Sequence, residues 1–202
     1  QEGGRYLFKN TAVGLLILIA AVLGLFAFPI LQQLPVLAQD VLARAGDTKA
    51  SVDARNSLIY AAQGAGALLA AMALAVNNSA ARRGRRLIFG EAAFVIGLIG
   101  IGLGRSLWVV VFLVGLMGWG AVTQLATMNT LIQLQTPNGL RGRVFSFYLW
   151  ALQGIAPFGS LLVGWMTQEF GLPLTASICG LVCILSIGGI QLIYPGIRQS
   201  EG

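Results

Sequence analysis

Glu91 is the one acidic side chain that falls inside a long apolar stretch of this 202-residue chain. A carboxylate in such surroundings is costly unless it has a partner, so it is a candidate for function. Two chemistries suit it: an ion pair with an Arg of a cytoplasmic loop, or the uptake and release of a proton. The chain has no His, and its sequence shows no paired carboxylates and no Ser/His/Asp constellation. We therefore expect no enzyme activity, no metal site and no cofactor.

Neutral polar and aromatic side chains form a second group of candidates. Helical spacing places Thr123 and Thr127 on one face, with Trp119 and Gln124 beside it. Polar groups in hydrocarbon need a partner or a wet cavity. These side chains would either form hydrogen bonds between helices or line a pocket for a hydrophobic substrate with polar groups. The candidate pocket comprises Gln32, Tyr60, Gln63, Trp119, Thr123, Gln124, Thr127, Tyr148 and Gln153.

Two short loops combine Gly with clustered Arg, a composition that can pair with acidic residues or with the carbonyl groups at helix C-termini. Such contacts would latch one conformation of the protein. The alternative is that the charges only set the membrane topology. The latch candidates are Arg82, Gly84, Arg85 and Arg86 in the first loop, Arg141 and Arg143 in the second, and Glu91 nearby.

Proline and cysteine mark further positions inside apolar stretches. Pro29 and Pro157 each remove a backbone donor and kink a helix, so each is either a packing kink or a hinge that bends during a transport cycle. Cys179 and Cys183 are four residues apart in the last stretch. We interpret them as small packing residues rather than as a disulfide or a metal site.

Six apolar stretches carry all these candidates. Each is long enough to cross a hydrocarbon core of about 30 Å, and 56% hydrophobic residues, 10% charged residues and a mean hydropathy of +0.80 are typical of membrane proteins. We predict an all-α polytopic membrane protein whose residues 1–202 form one bundle. The predicted spans are approximately residues 11–34, 56–76, 87–103, 107–134, 144–166 and 174–193.

Basic residues divide unevenly between the two sides of such a bundle. One side would carry Arg5, Lys9, Arg82, Arg83, Arg85, Arg86, Arg141, Arg143 and Arg198, and the other Arg44, Lys49, Arg55 and Arg105. Basic residues accumulate on the cytoplasmic side, so we expect both termini there and the loop 39–55 outside. This bias also explains the net charge of +6 without a nucleic-acid partner.

The two basic loops and their flanks resemble the major facilitator superfamily. Arg82-Arg83-Gly84-Arg85-Arg86 resembles its D-R-x-G-R-R loop, with Ala81 at the acidic position and Asn77 at the upstream glycine. The segments 129–137, 141–146 and 156–160 resemble the C-terminal half of the drug and siderophore exporter branch, which includes enterobactin exporters and macrolide efflux proteins.

The resemblance implies a fold and a function. It covers six of the usual twelve helices, arranged as two three-helix inverted repeats, here residues 11–103 and 107–193. It implies the C-terminal half of a proton-coupled secondary efflux transporter for amphipathic organic substrates, in a bacterial inner membrane. Because one half alone could not alternate access across the membrane, we expect a missing N-terminal half, a second copy or a membrane complex as partner, besides membrane lipids. The alternatives are a structural or assembly subunit of a membrane complex and a lipid or lysolipid flippase.

Overall fold

Six long helices, α1 to α6, make up the computed structural model, which describes residues 6–7, 10–44, 46–76 and 83–193, with side chains up to residue 189. No strand occurs in this part of the chain. Each helix is long and apolar enough to cross a membrane, which confirms the all-α polytopic prediction. The helices are α1 Thr11–Gln32, α2 Lys49–Val76, α3 Arg83–Leu103, α4 Leu107–Gln135, α5 Asn138–Phe170 and α6 Leu172–Ile193.

The helices extend further than the apolar stretches at several ends. After α1, helical turns continue through Val41, and α2 begins at Lys49 rather than at residue 56. Most of the predicted outer loop 39–55 is therefore helical. Arg55 consequently lies inside α2, where its buried guanidinium donates to the carbonyl oxygen of Leu42 and forms an ion pair with Asp47.

The packing has the symmetry expected of two three-helix repeats. The second helix of each repeat packs on the first helix of the other, so that α2 lies against α4 and α5 lies against α1. The third helices, α3 and α6, contact each other. This exchange of partners joins the two repeats into one bundle, with a core of buried aliphatic side chains from both.

Glycine residues let α2 and α4, and likewise α1 and α5, approach until their backbones are in contact. In α2, a Cβ atom at Gly66 would overlap the carbonyl oxygen of Gly115 in α4. At the equivalent crossing of α1 and α5, a Cβ atom at Gly24 would overlap the carbonyl oxygen of Leu152, and one at Gly159 that of Leu25. Both crossings therefore require glycine, because any side chain at these positions would push the two helices apart.

The two predicted hinges lie at the α1–α5 crossing. A π-helical turn, Leu23–Ala27, comes directly before the Phe28-Pro29 step of α1, and another, Trp150–Gly154, comes shortly before Pro157 in α5. The wider turn relieves the clash between a proline ring and the carbonyl group of the preceding turn. The two π-turns contact each other. Both irregular segments therefore belong to one contact; their bending during transport stays a prediction.

Candidate functional site

The nine predicted pocket residues differ in burial. Thr123, Gln124, Thr127 and Tyr148 are buried, Gln63 and Trp119 are half-buried, and Gln32, Tyr60 and Gln153 are exposed. Gln63 and Trp119 both lie at the α2–α4 crossing, where Gly118 lies against the backbone of Gln63 and Gly66 lies against the backbone of Trp119. Gln32 accepts a hydrogen bond of 3.3 Å from Ser160 of α5.

Three of the buried members keep polar atoms without a hydrogen-bond partner among the described residues. They are the hydroxyl oxygen of Thr123, both amide atoms of Gln124 and the hydroxyl oxygen of Tyr148. Gln124 and Tyr148 are 0% and 1% exposed. A buried polar group left unpaired costs about 1–3 kcal/mol. The bundle therefore carries polar groups that its own hydrogen bonds do not explain.

Thr123 and Thr127 lie in the C-terminal half of α4, at the end of the bundle where α3 begins with Arg83. The Cβ atom of Thr123 faces α3, 3.1 Å from where a Cβ atom on Gly90 would lie. Thr127 donates to the carbonyl oxygen of Thr123 at 2.7 Å and lines a cavity of about 100 Å³ together with Arg83 and Arg86. These threonines thus belong to a polar region shared by α3 and α4, next to the basic end of the bundle.

Polar side chains also lie in the middle of the two least buried helices. In an apolar 18-residue stretch of each helix, 17% of the residues of α2 and 22% of those of α5 are buried, against 39–50% in the other four helices. Gln63 lies near the centre of α2, and Gln153 is exposed near the centre of α5. An amide at this depth needs a partner or water. Those faces are therefore suited to another protein surface or a wet cavity.

Gln63 and Gln153 belong to two similar segments, a signal that the sequence prediction did not use. The segment Tyr60-Ala61-Ala62-Gln63-Gly64 in α2 is similar to Trp150-Ala151-Leu152-Gln153-Gly154 in α5. Each segment lies near the middle of the second helix of its repeat. Both α2 and α5 thus carry an aromatic residue three positions before a Gln in the middle of the span.

Of the latch candidates, Arg141 has the best-defined contacts. Its Nε donates to the carbonyl oxygens of Gln133 at 2.9 Å and of Thr136 at 3.2 Å. These are among the carbonyl groups that the end of α4 leaves without a helical partner. The hydroxyl group of Tyr6 donates to a third, Gln135, at 2.6 Å. Arg141 therefore caps the C-terminal end of α4; its function as a latch stays a prediction.

The other latch candidates lie around the same end. Gly84 is buried, Arg86 is half-buried, and Arg85 and Arg143 are exposed, whereas Arg82 lies outside the described residues. Glu91, only 4% exposed, lies in a small groove between α3 and α6, beside Cys183 and Ile187. Its predicted pairing with Arg143 or with the Arg82–Arg86 cluster stays a prediction.

A cavity of about 560 Å³ at the opposite end of the bundle contains none of the predicted site residues. It lies where the end of α1, the α3–α4 connection and the α5–α6 connection meet, and we name it the Arg105-end cavity. Its polar lining includes Gln33, Asp40, Arg105 and Thr167. Its size is in the range of small-molecule sites.

The family comparison agrees with this architecture. The sequence model of the transmembrane secretion effector family, a branch of the major facilitator superfamily, matches residues 1–201. The chain belongs to that family. Comparison with curated proteins gives no significant match. As a member of the transmembrane secretion effector family, the chain is an integral membrane protein of a transporter type, and this membership points away from an enzyme.

Proposed function

We propose that the chain is the C-terminal half of a secondary active efflux transporter that exports amphipathic organic molecules in exchange for protons across a bacterial inner membrane. The observation that carries the proposal is the set of buried polar atoms on Thr123, Gln124 and Tyr148 that have no hydrogen-bond partner in the described part of the chain. A merely structural bundle gains nothing from such groups, whereas a substrate with polar groups would satisfy them. Family membership supports the transporter class.

The partner half would cover the open faces of α2 and α5. Both helices carry exposed large side chains, including Leu68 and Leu69 on α2 and Trp150 and Phe158 on α5. The mid-span Gln63 and Gln153 belong to the same two helices. A surface that combines apolar contacts with central amides suits an interface around a transport path better than lipid alone.

The carboxylates that carry protons would belong to that other half. Glu91 lies between α3 and α6, away from the open α2 and α5 helices. A coupling group must exchange protons with both sides of the membrane through the transport path. The proposal therefore assigns Glu91 a bracing function. The direct test of the proposal is proton-driven export by the reconstituted protein.

The proposed orientation makes a separate prediction. Ala50 and Gly142 are both exposed and lie at opposite ends of the bundle. A membrane-impermeant maleimide added to intact cells is expected to label Ala50→Cys and to label Gly142→Cys only after permeabilisation, because basic loops stay in the cytoplasm. The native thiols are buried. Labelling of Gly142→Cys in intact cells would reverse the orientation.

A further inference from the structure

We infer that the Arg105-end cavity binds a zwitterionic phosphoester, a phosphate and an ammonium group on one headgroup such as phosphoethanolamine. This site is separate from the proposed transport path and does not depend on it. The inference starts from the two charged side chains of the cavity, Asp40 and Arg105. They have opposite signs and come from different connections of the bundle.

Asp40 and Arg105 do not neutralise each other. Neither makes an ion pair or a side-chain hydrogen bond with any described residue, and the neighbouring carboxylate of Asp47 pairs with Arg55 instead. Two opposite charges that line one cavity without touching can each bind the complementary charge of a ligand. The ligand that satisfies both must carry a separated anion and cation.

Uncharged donors and acceptors complete the lining. The hydroxyl oxygen of Thr167 is buried without a hydrogen-bond partner among the described residues. The side-chain amides of Gln33 and Gln168 line the same space. Hydroxyl and amide donors are the groups that phosphate oxygens accept from. The cavity therefore offers more hydrogen bonds than the protein itself uses.

A second cavity identifies the end at which the phosphate would lie. Arg105 also lines a neighbouring cavity of about 110 Å³, together with Arg44 and Arg55. The charge of Arg55 is neutralised by its ion pair with Asp47. The guanidinium of Arg55 holds the pKa of the Asp47 carboxyl below the usual range, so that this carboxyl stays ionised. The guanidinium of Arg44 has no partner among the described residues. The phosphate would therefore lie near Arg105 and Arg44, with the ammonium toward Asp40.

Two tryptophans place the cavity at the level of lipid headgroups. Trp108, at the start of α4, follows Arg105 by three residues, and Trp165 precedes Gln168 by three residues on α5. Their side chains are 72% and 55% exposed. Exposed Trp is enriched at the boundary between hydrocarbon and water. A membrane phospholipid is therefore the nearest source of the headgroup, and a soluble phosphoethanolamine compound is the other.

The test measures how fast a single cysteine in the cavity reacts with a maleimide. Gln168→Cys is introduced after Cys179 and Cys183 are replaced by Ala, and the protein is placed in phosphatidylglycerol nanodiscs. Adding phosphatidylethanolamine is expected to slow labelling about tenfold at saturation, because the bound headgroup covers the thiol. Glu169→Cys is the matched control: it is exposed and outside the cavity lining, so its labelling rate should not change.

Two substitutions separate headgroup binding from general lipid effects. Arg105→Gln is expected to weaken protection about tenfold through the lost phosphate contact, and Asp40→Asn to abolish the preference for phosphatidylethanolamine over phosphatidylglycerol. Both side chains are exposed and have no partner within the described ranges, so the melting temperature should not change. If soluble glycerophosphoethanolamine also protects, the site accepts the free headgroup; if only the lipid protects, the source is the membrane. The inference would be overturned if labelling were as slow in phosphatidylglycerol alone as with phosphatidylethanolamine added. It would also be overturned if neither phosphatidylethanolamine nor glycerophosphoethanolamine slowed labelling.

Discussion

Gly66→Ala is expected to destabilise the bundle by more than about 2 kcal/mol, although it adds only one methyl group. The new Cβ atom would overlap the carbonyl oxygen of Gly115, which is backbone and cannot turn aside. The α2–α4 crossing would have to open, and with it the contact between Gln63 and Gly118. Thermal unfolding in detergent, followed by size-exclusion chromatography of the heated sample, measures the loss.

Gly64→Ala is the matched control, because it is the same substitution two residues away on the same helix. A Cβ atom at Gly64 meets nothing within 4 Å. Ala has a higher helix propensity than Gly by about 1 kcal/mol, so this variant should be as stable as the parent or more stable. Similar melting temperatures for the two variants would show that α2 and α4 do not approach as closely as the structure has them.

Gln124→Met and Tyr148→Phe are expected to reduce transport about tenfold while leaving stability unchanged or higher. Each substitution keeps the approximate volume and removes polar atoms that have no partner among the described residues. Losing an unpaired buried polar group stabilises a fold. A substrate that used the same group would lose a hydrogen bond worth about 1 kcal/mol or more. Transport assays and melting temperatures on the same preparations measure both effects.

A conservative change on α6 provides the comparison. Val182→Ala removes apolar volume from a half-buried position on a helix that the pocket does not include. It is expected to change stability more than transport at matched expression levels. If Gln124→Met and Tyr148→Phe lower stability and leave transport intact, the polar atoms of Gln124 and Tyr148 stabilise the bundle and do not bind substrate. The proposed pocket would then be wrong.

The sequence predicted the number and type of helices, because apolar stretches of this length have one stable structure in a membrane. It did not predict where they end. Lys49 to Arg55 is polar, so hydropathy placed it in a loop, although a helix can continue past the hydrocarbon. That extension brings Arg55 against Leu42 and Asp47, a contact that no local pattern indicates.

The site was only partly predictable for a related reason. Small residues at helical spacing identify faces that can pack closely, but they do not distinguish Gly66, which touches α4, from Gly64, which faces open space. The Arg105-end cavity was missed because its residues are far apart in the sequence: Asp40 follows α1, Arg105 lies in the α3–α4 connection and Thr167 lies near the end of α5. Only the packing of the bundle brings them together.

The most direct test of the account is proton-driven export by the protein in proteoliposomes, isolated together with any half to which it is joined or bound. At the start an amphipathic fluorescent dye has the same concentration inside and outside the liposomes, and a pH gradient is imposed across the membrane. The account predicts that the dye moves against its concentration gradient, that a protonophore stops the movement, and that Gln124→Met slows it. Dye flux unaffected by the pH gradient, from protein with unchanged melting temperature and labelling topology, would contradict the transporter assignment.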